Sequence, residues 1–162
     1  IPARAVAPPE GGAFAFAIQP ATRSDMRAGA AIFNDWVDDT PWMPRVHPRA
    51  DVERHYVETV FAEDDCFVAK ANGTVLAVMA LKPAAHVIDL LYVARSARRS
   101  GVGAALVARA KRELRPYAEL WVFQANKEAQ AFYGREGFQP VRRSDGDNEE
   151  GLPDVLMRWQ DA

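Results

Sequence analysis

The sequence predicts a mixed α/β sheet of about seven strands with four helices, in the order β-α-α-β-β-β-α-β-α-β-β. Three observations lead there. Short apolar runs alternate with a period of two and longer ones repeat every three to four residues, so strand and helix patterns follow one another along the chain. Asn72-Gly73 lies between two β-rich runs, a strong hairpin signal. An apolar run at 87–93 passes through a basic, glycine-bearing turn directly into a helix.

Residues 1–12 contain Pro2, Pro8, Pro9, Gly11 and Gly12 and are expected to be a flexible tail, leaving 13–162 as a single domain. Phe14, Phe16 and Ile18 alternate as a first strand. Ser24 is placed to cap a helix with Met26, Ala30, Phe33 and Val37 on one face. Pro41, Pro44 and Pro48 stop that helix and hold 39–50 as an extended loop. Asp51 is placed to cap a second helix bearing Val52, Tyr56 and Val60. Strands at 66–70 and 74–81 flank the hairpin turn. Beyond the strand at 87–93, a helix sets Val102, Leu106, Val107, Ala110 and Leu114 on one side and most of its charges elsewhere. A strand at 119–123 follows. Asn126 caps a last helix that ends at Gly137, and a strand begins at Phe138. The acidic stretch 144–154 reads as a loop, and Val155, Met157 and Trp159 alternate as a final strand.

Composition narrows the function. Apolar residues make up 49% and charged residues 26%, ordinary for a globular chain. A net charge of −2 provides no global field for nucleic acid, and no apolar run nears the roughly 20 residues that span a bilayer. A cytoplasmic protein is expected, since nothing resembles a signal peptide. Cys66, the one cysteine, lies in the apolar segment CFVA and is expected to be a buried structural thiol. His47, His55 and His86 lack ligand-like spacing, so no metal site is expected.

The strand–turn–helix at 87–115 gathers unpaired backbone N–H groups and the positive end of a helix dipole at one point. Arg95, Arg98 and Arg99 add charge suited to phosphate oxygens. Arg98 to Gly103 read R-x-x-G-x-G after a strand ending LLYV. Downstream, Asn126, Ala129, Phe132, Tyr133, Gly137 and Phe138 read N-x-x-A-x-x-F-Y-x-x-x-G-F. Together, in this order and with a strand between them, these motifs resemble the acyl-CoA site of the GNAT acyltransferase superfamily. The likeness covers residues 68 to 140, and the predicted element order is that of the GNAT fold.

The resemblance implies an N-acetyltransferase that moves the acetyl group of acetyl-CoA to a primary amine of a small molecule by direct attack. It assigns cofactor contacts to Leu91, Tyr92, Val93, Arg98, Arg99, Ser100, Gly101, Val102, Gly103, Ala104, Asn126, Ala129, Phe132 and Tyr133. Leu91 and Val93 would pair through their backbones with the pantetheine arm where the sheet splays, and Tyr133 would protonate the leaving thiolate. An N-cap explains Asn126 equally well, and Gly101 and Gly103 also suit tight strand–helix packing. Asp89, in an apolar strand, is the candidate general base if its carboxyl is desolvated, or an outward-facing side chain; Glu149 and Glu150 are further candidates. Trp42, Arg45 and His47 on the proline-rich loop, with Glu149 and Glu150, are candidate acceptor contacts; equally, Trp42 packs on the core and the acidic loop is simply solvated. The expected partner is a small amine, with no nucleic acid and no membrane, and a homodimer stays open. Two alternatives stand beside this reading: a non-catalytic acyl-CoA-binding regulatory domain, and an acetyltransferase acting on protein or peptide amines.

Overall fold

The computed structural model describes residues 15–162; the expected tail and Phe14 lie outside them. One sheet runs through the molecule in the order β1-β2-β3-β4-β5-β7-β6. Its strands are β1 (Ala17–Pro20), β2 (Asp65–Ala71), β3 (Thr74–Lys82), β4 (Val87–Val93), β5 (Tyr117–Phe123), β6 (Gln139–Ser144) and β7 (Asp154–Gln160). Only β4 and β5 run parallel; every other neighbouring pair is antiparallel. The β2–β3 hairpin turns at Asn72-Gly73, both with positive φ (51° and 76°), the backbone for which that dipeptide is suited.

Four helical stretches cover the sheet: α1 (Arg23–Asp39), α2 (49–63), α3 (Val102–Leu114) and α4 (Lys127–Arg135). Within α2 a π-helical turn at His55–Val60 joins two α segments, and Val52, Tyr56 and Val60 are all buried. Helices α3 and α4 lie on one face, where Val102, Leu106, Val107, Ala110 and Leu114 pack on Met79, Leu81, Ile88 and Leu120. On the other face α1 and α2 close over Val68, Val78 and Ala80. Alternate residues of β2 and β3 therefore serve two cores. Helix α1 lies so close that a Cβ on Gly29 would fall 2.8 Å from Val78.

Two helix starts differ from the sequence reading. Thr22, not Ser24, caps α1: its hydroxyl accepts from Asp25 N at 3.1 Å, and Asp25 Oδ2 accepts from Thr22 N at 2.9 Å. A capping box satisfies two donors, so it prevails over a lone serine already inside the first turn. Helix α2 starts at Arg49 behind Pro48, whose fixed φ suits a helix entrance; Asp51 lies inside and pairs with Arg54.

Asp25 also reaches β2. Its carboxylate lies 2.7 Å from Lys70 Nζ, with side-chain exposures of 7% and 18%, so the pair is largely withdrawn from water. Burial pushes the Asp25 carboxyl up, but Lys70 and the Thr22 cap outweigh it and hold it below the usual range. Removing one member of such a pair strands the other charge. Asp25→Ala is expected to lower the free energy of unfolding by about 3 kcal/mol in urea titrations at pH 7. The deficit should shrink below about pH 4, where protonation cancels the native advantage. A variant as stable as the wild type at pH 7 would contradict the pairing.

Candidate active site

Strand β4 leads into a 3₁₀ turn, Arg95–Ala97, and then into α3. Two positive-φ residues shape the junction, Arg99 at 62° and Gly101 at 88°. The backbone N–H groups of Gly101, Val102, Gly103 and Ala104 find no well-formed acceptor among the described residues. They stand at the helix entrance, where the dipole favours an anion. Arg99 has no side-chain partner among the described residues, while the Arg98 side chain donates to Val93 O at 3.4 Å. Ser100 commits its hydroxyl proton to Ala97 O.

The two glycines are required for different reasons. A Cβ on Gly101 would meet nothing within 4 Å, so the demand there is backbone conformation. A Cβ on Gly103 would lie 3.2 Å from Phe132, so that glycine lets α4 close onto α3. Asn126 caps α4, accepting from Ala129 N at 3.1 Å. These contacts set Phe132 and Tyr133 beside the phosphate turn.

Beyond this turn the sheet opens. Strands β4 and β5 share one register pair, Val87 with Glu119. Leu91, Tyr92 and Val93 pair with Met79, Val78 and Ala77 of β3 on one edge, and their other edge has no strand partner. Tyr133 is buried, with its ring edge-on to Phe132 and Phe138, and its hydroxyl makes no hydrogen bond within the described residues. Burial raises the phenol above its usual value, so it stays protonated at neutral pH. Tyr92, from β4, is raised too, by burial and by its nearness to Tyr133, Glu150 and Asp89.

On the α1–α2 face a cavity of about 470 Å³ adjoins β4. Phe33, Tyr56 and Tyr92 form its aromatic wall, and Asp89, Glu149 and Glu150 supply carboxylates. Arg45 and His47 also line it, so the two variable loops do converge. His47 Nε2 sits 3.0 Å from Glu149 Oε2 and clasps one loop to the other. Arg45, however, is fully engaged. Its N–H groups make five hydrogen bonds, to Asn34 Oδ1 and O, twice to Asp38 and once to His47 O. A guanidinium has five donors, so none remains for an acceptor. Trp42 does not line the cavity either; it packs edge-on against Trp36 and Phe123. Asp145, Asp147 and Asp154 also lie outside its wall.

The model of the acetyltransferase (GNAT) family matches residues 30–138, about two thirds of the chain. The protein belongs to the GNAT acetyltransferase family. No protein of curated function matches it. Among solved structures, the apo form of YjaB from Escherichia coli superposes with a TM-score of 0.74 at 23% identity, covering 91% of this chain and 99% of that one. A ribosomal-protein-alanine N-acetyltransferase from Brucella melitensis gives 0.71 at 22%, covering 89% and 99%. The putative acetyltransferase yncA from Salmonella typhimurium, solved with acetyl-CoA, gives 0.68 at 18%, covering 90% and 93%. These likenesses show the shared fold. Family membership makes the protein an acyl-CoA-dependent acetyltransferase with acetyl-CoA as cofactor, and the free amides at 101–104 together with the open edge of β4 fit that group.

In this acetyltransferase Asp89 occupies a β-bulge. Ala80 pairs with Leu90 and Leu81 with Ile88, leaving Asp89 as the extra residue. The bulge reverses the parity of the strand: Ile88, Leu91 and Val93 pack towards α3, whereas Asp89, Leu90 and Tyr92 face the cavity. Burial first, then the neighbouring Asp64 carboxyl and more weakly Glu63, push the Asp89 carboxyl up to about 7, against the pull of Lys82. Cys66 is buried and its thiol is pushed up to about 12, so it is no nucleophile. No local pattern in the sequence pointed to Asp64, Lys82 or Arg45's partners, and Tyr56 read only as a core position.

Acetyl-CoA at about 100 times its Kd is expected to raise Tm by roughly 5–10 °C, from about 2.7 kcal/mol of linkage in a chain of this size. Gly101→Val should abolish that shift, because a β-branched residue at φ 88° distorts the amide array; an undiminished shift would move the anion site elsewhere. Tyr133→Phe should lower kcat by about 100-fold while leaving the shift in place; an unchanged kcat would remove Tyr133 from the chemistry.

Proposed function

We propose that this acetyltransferase acetylates the primary amine of a small, cationic molecule seated in the cavity beside β4, by direct attack and without a covalent enzyme intermediate. The observation that carries the reading is the state of the charges on the cavity wall. Asp89, Glu149 and Glu150 face it, and the one guanidinium there has spent all five donors. Four carboxyls (Asp51, Asp89, Glu149 and Glu150) stand on the wall against this engaged guanidinium and the imidazoles of His47 and His55, a balance that favours ammonium groups over a carboxylate. Glu150 has no ion-pair partner among the described residues, and its carboxyl is raised by burial and by Glu149.

Backbone amides at 101–104 with Arg99 hold the pyrophosphate, and the free edge of Leu91–Val93 aligns the pantetheine arm. The bound thioester supplies an activated acetyl group. Asp89 takes a proton from the acceptor ammonium, freeing the amine lone pair; a carboxyl near 7 is a far better match for an amine than one near 4. A β4 N–H on the open edge stabilises charge on the carbonyl oxygen. Tyr133 Oη gives its proton to the departing thiolate, and the second proton that the nitrogen sheds as the amide forms passes through water to restore the phenol. The loop clasp from His47 to Glu149 narrows the entrance and favours a small acceptor over a folded protein.

Three acceptors of equal length separate the possibilities, with thiol release as the readout: 1,5-diaminopentane, pentylamine and 5-aminopentanoate. Turnover is expected in that order, with the diamine ahead of the amino acid by about tenfold or more in kcat/KM. A preference for 5-aminopentanoate, or for a peptide amine over all three, would overturn the proposal. With Asp89 as base, kcat/KM should fall as pH drops through about 7. Stability should move oppositely. The native carboxyl binds its proton more tightly than the unfolded chain does, so stability declines as pH rises from about 4 to about 7. Asp89→Asn should therefore raise Tm at pH 8 while lowering kcat, and a lower Tm there would contradict the burial of this charge.

A further inference from the structure

Asp64 ends α2 with its side chain only 1% exposed. Its Oδ1 lies 2.7 Å from Lys82 Nζ, and its Oδ2 is buried with no hydrogen-bond partner. Buried carboxylate oxygens are rarely left this way, because an unmet acceptor keeps the full cost of its lost hydration. Across from it stands Asp89, 3.9 Å from the same Lys82 ammonium. Two carboxyls thus share one cation, and the nearer of them is out of reach of water.

We propose that Asp64 is a positioning residue for the acyl-transfer reaction, a buried partner that shares the proton Asp89 removes from the acceptor and so makes Asp89 an effective base. The inference rests on the reading of Asp89 as that base. The proton account is simple. An acceptor N–H bond breaks, its proton binds Asp89 Oδ, and the new O–H donates to Asp64 Oδ2, which then gains the donor it lacks. The amine keeps the electron pair, and the proton leaves to water before the next turnover.

The electrostatics favour this direction. With both carboxyls ionised, two negative charges face one ammonium, and that ammonium is closer to Asp64. The excess charge sits on Asp89, the only one of the two that lines the cavity. Hence Asp89 is the member of the pair placed to meet the acceptor's proton, with Asp64 and Lys82 behind it. The charged and titratable groups around Asp89 are Glu63 and Asp64 at the end of α2, Lys82 on β3, Cys66 on β2, Tyr56 on α2 and Tyr92 on β4. The phenols and the thiol are all raised and neutral near pH 7, and Glu63 acts more weakly than Asp64, so Asp64 and Lys82 set the balance.

The test is the pH profile of kcat/KM for wild type, Asp64→Asn and Asp89→Asn, with 1,5-diaminopentane as acceptor. Asp64→Asn keeps the shape and a hydrogen-bonding oxygen but removes the like charge. Its acid limb should move to lower pH by about one unit or more, with a lower plateau from a weaker base. A purely structural role would scale the whole curve and leave the midpoint in place, and that result overturns the proposal. Asp89→Asn controls the underlying reading. If its acid limb persists unchanged, Asp89 is not the base, whereas a lost limb together with an unmoved Asp64→Asn midpoint refutes Asp64 alone. Should Asp64→Asn fail to fold, a carboxyl NMR titration of the ¹³C-aspartate-labelled wild type decides. Two resonances should respond in one step near pH 7, one of them absent from Asp89→Asn; a single responding carboxyl would overturn the pairing.

Discussion

Strands β4 and β5 meet at one backbone pair, Val87 with Glu119, and then part. Most of what the protein does depends on that separation. A parallel sheet ordinarily continues its ladder, because unpaired N–H and C=O groups are costly once hidden. Here the edge of Leu91–Val93 has no strand partner, and the turn at its end presents four further amides with no acceptor among the described residues. The chain holds both in place by rigid packing on either side. Phe132 seats on Gly103 on one face, and α1 presses Gly29 onto Val78 on the other.

The reacting groups then follow from parity. A regular β4 would send every second residue to the same face. The bulge at Asp89 breaks that rule, so Leu91 and Val93 belong to the α3 core while Asp89 and Tyr92 reach the cavity. One inserted residue thereby turns a carboxyl and a phenol toward the cavity, on the strand whose far edge is open. The walls opposite are locked by polar contacts beside the packing of Met43 and Trp42: Arg45 ties its loop to Asn34 and Asp38 of α1, and His47 reaches Glu149. A loop held by hydrogen bonds keeps its shape without filling the space it surrounds.

What was legible in the sequence was local chemistry. An Asn-Gly hairpin, an asparagine cap and a stripe of apolar residues along α3 each act over a few residues, and each stands as read. Thr22 with Asp25 was equally legible as a capping box, though Ser24 was the residue read as the cap. The remainder is tertiary. Arg45 looked like an acceptor contact because its partners lie elsewhere in the chain, on α1 and beyond the loop's own proline. Trp42 looked like a pocket residue because nothing local reveals Trp36 and Phe123. Asp64 and Lys82 matter only because a helix end and a strand end come together, and a bulge leaves no mark in a run of apolar letters.

The central claim, that the amides opening α3 grip the diphosphate while the free edge of β4 receives the arm, is tested most directly by amide NMR of the ¹⁵N-labelled protein titrated with CoA. The account predicts the largest shifts at Gly101, Val102, Gly103 and Ala104, accompanied by Leu91 to Val93. Saturable binding that leaves those amides unmoved and perturbs another surface would contradict it.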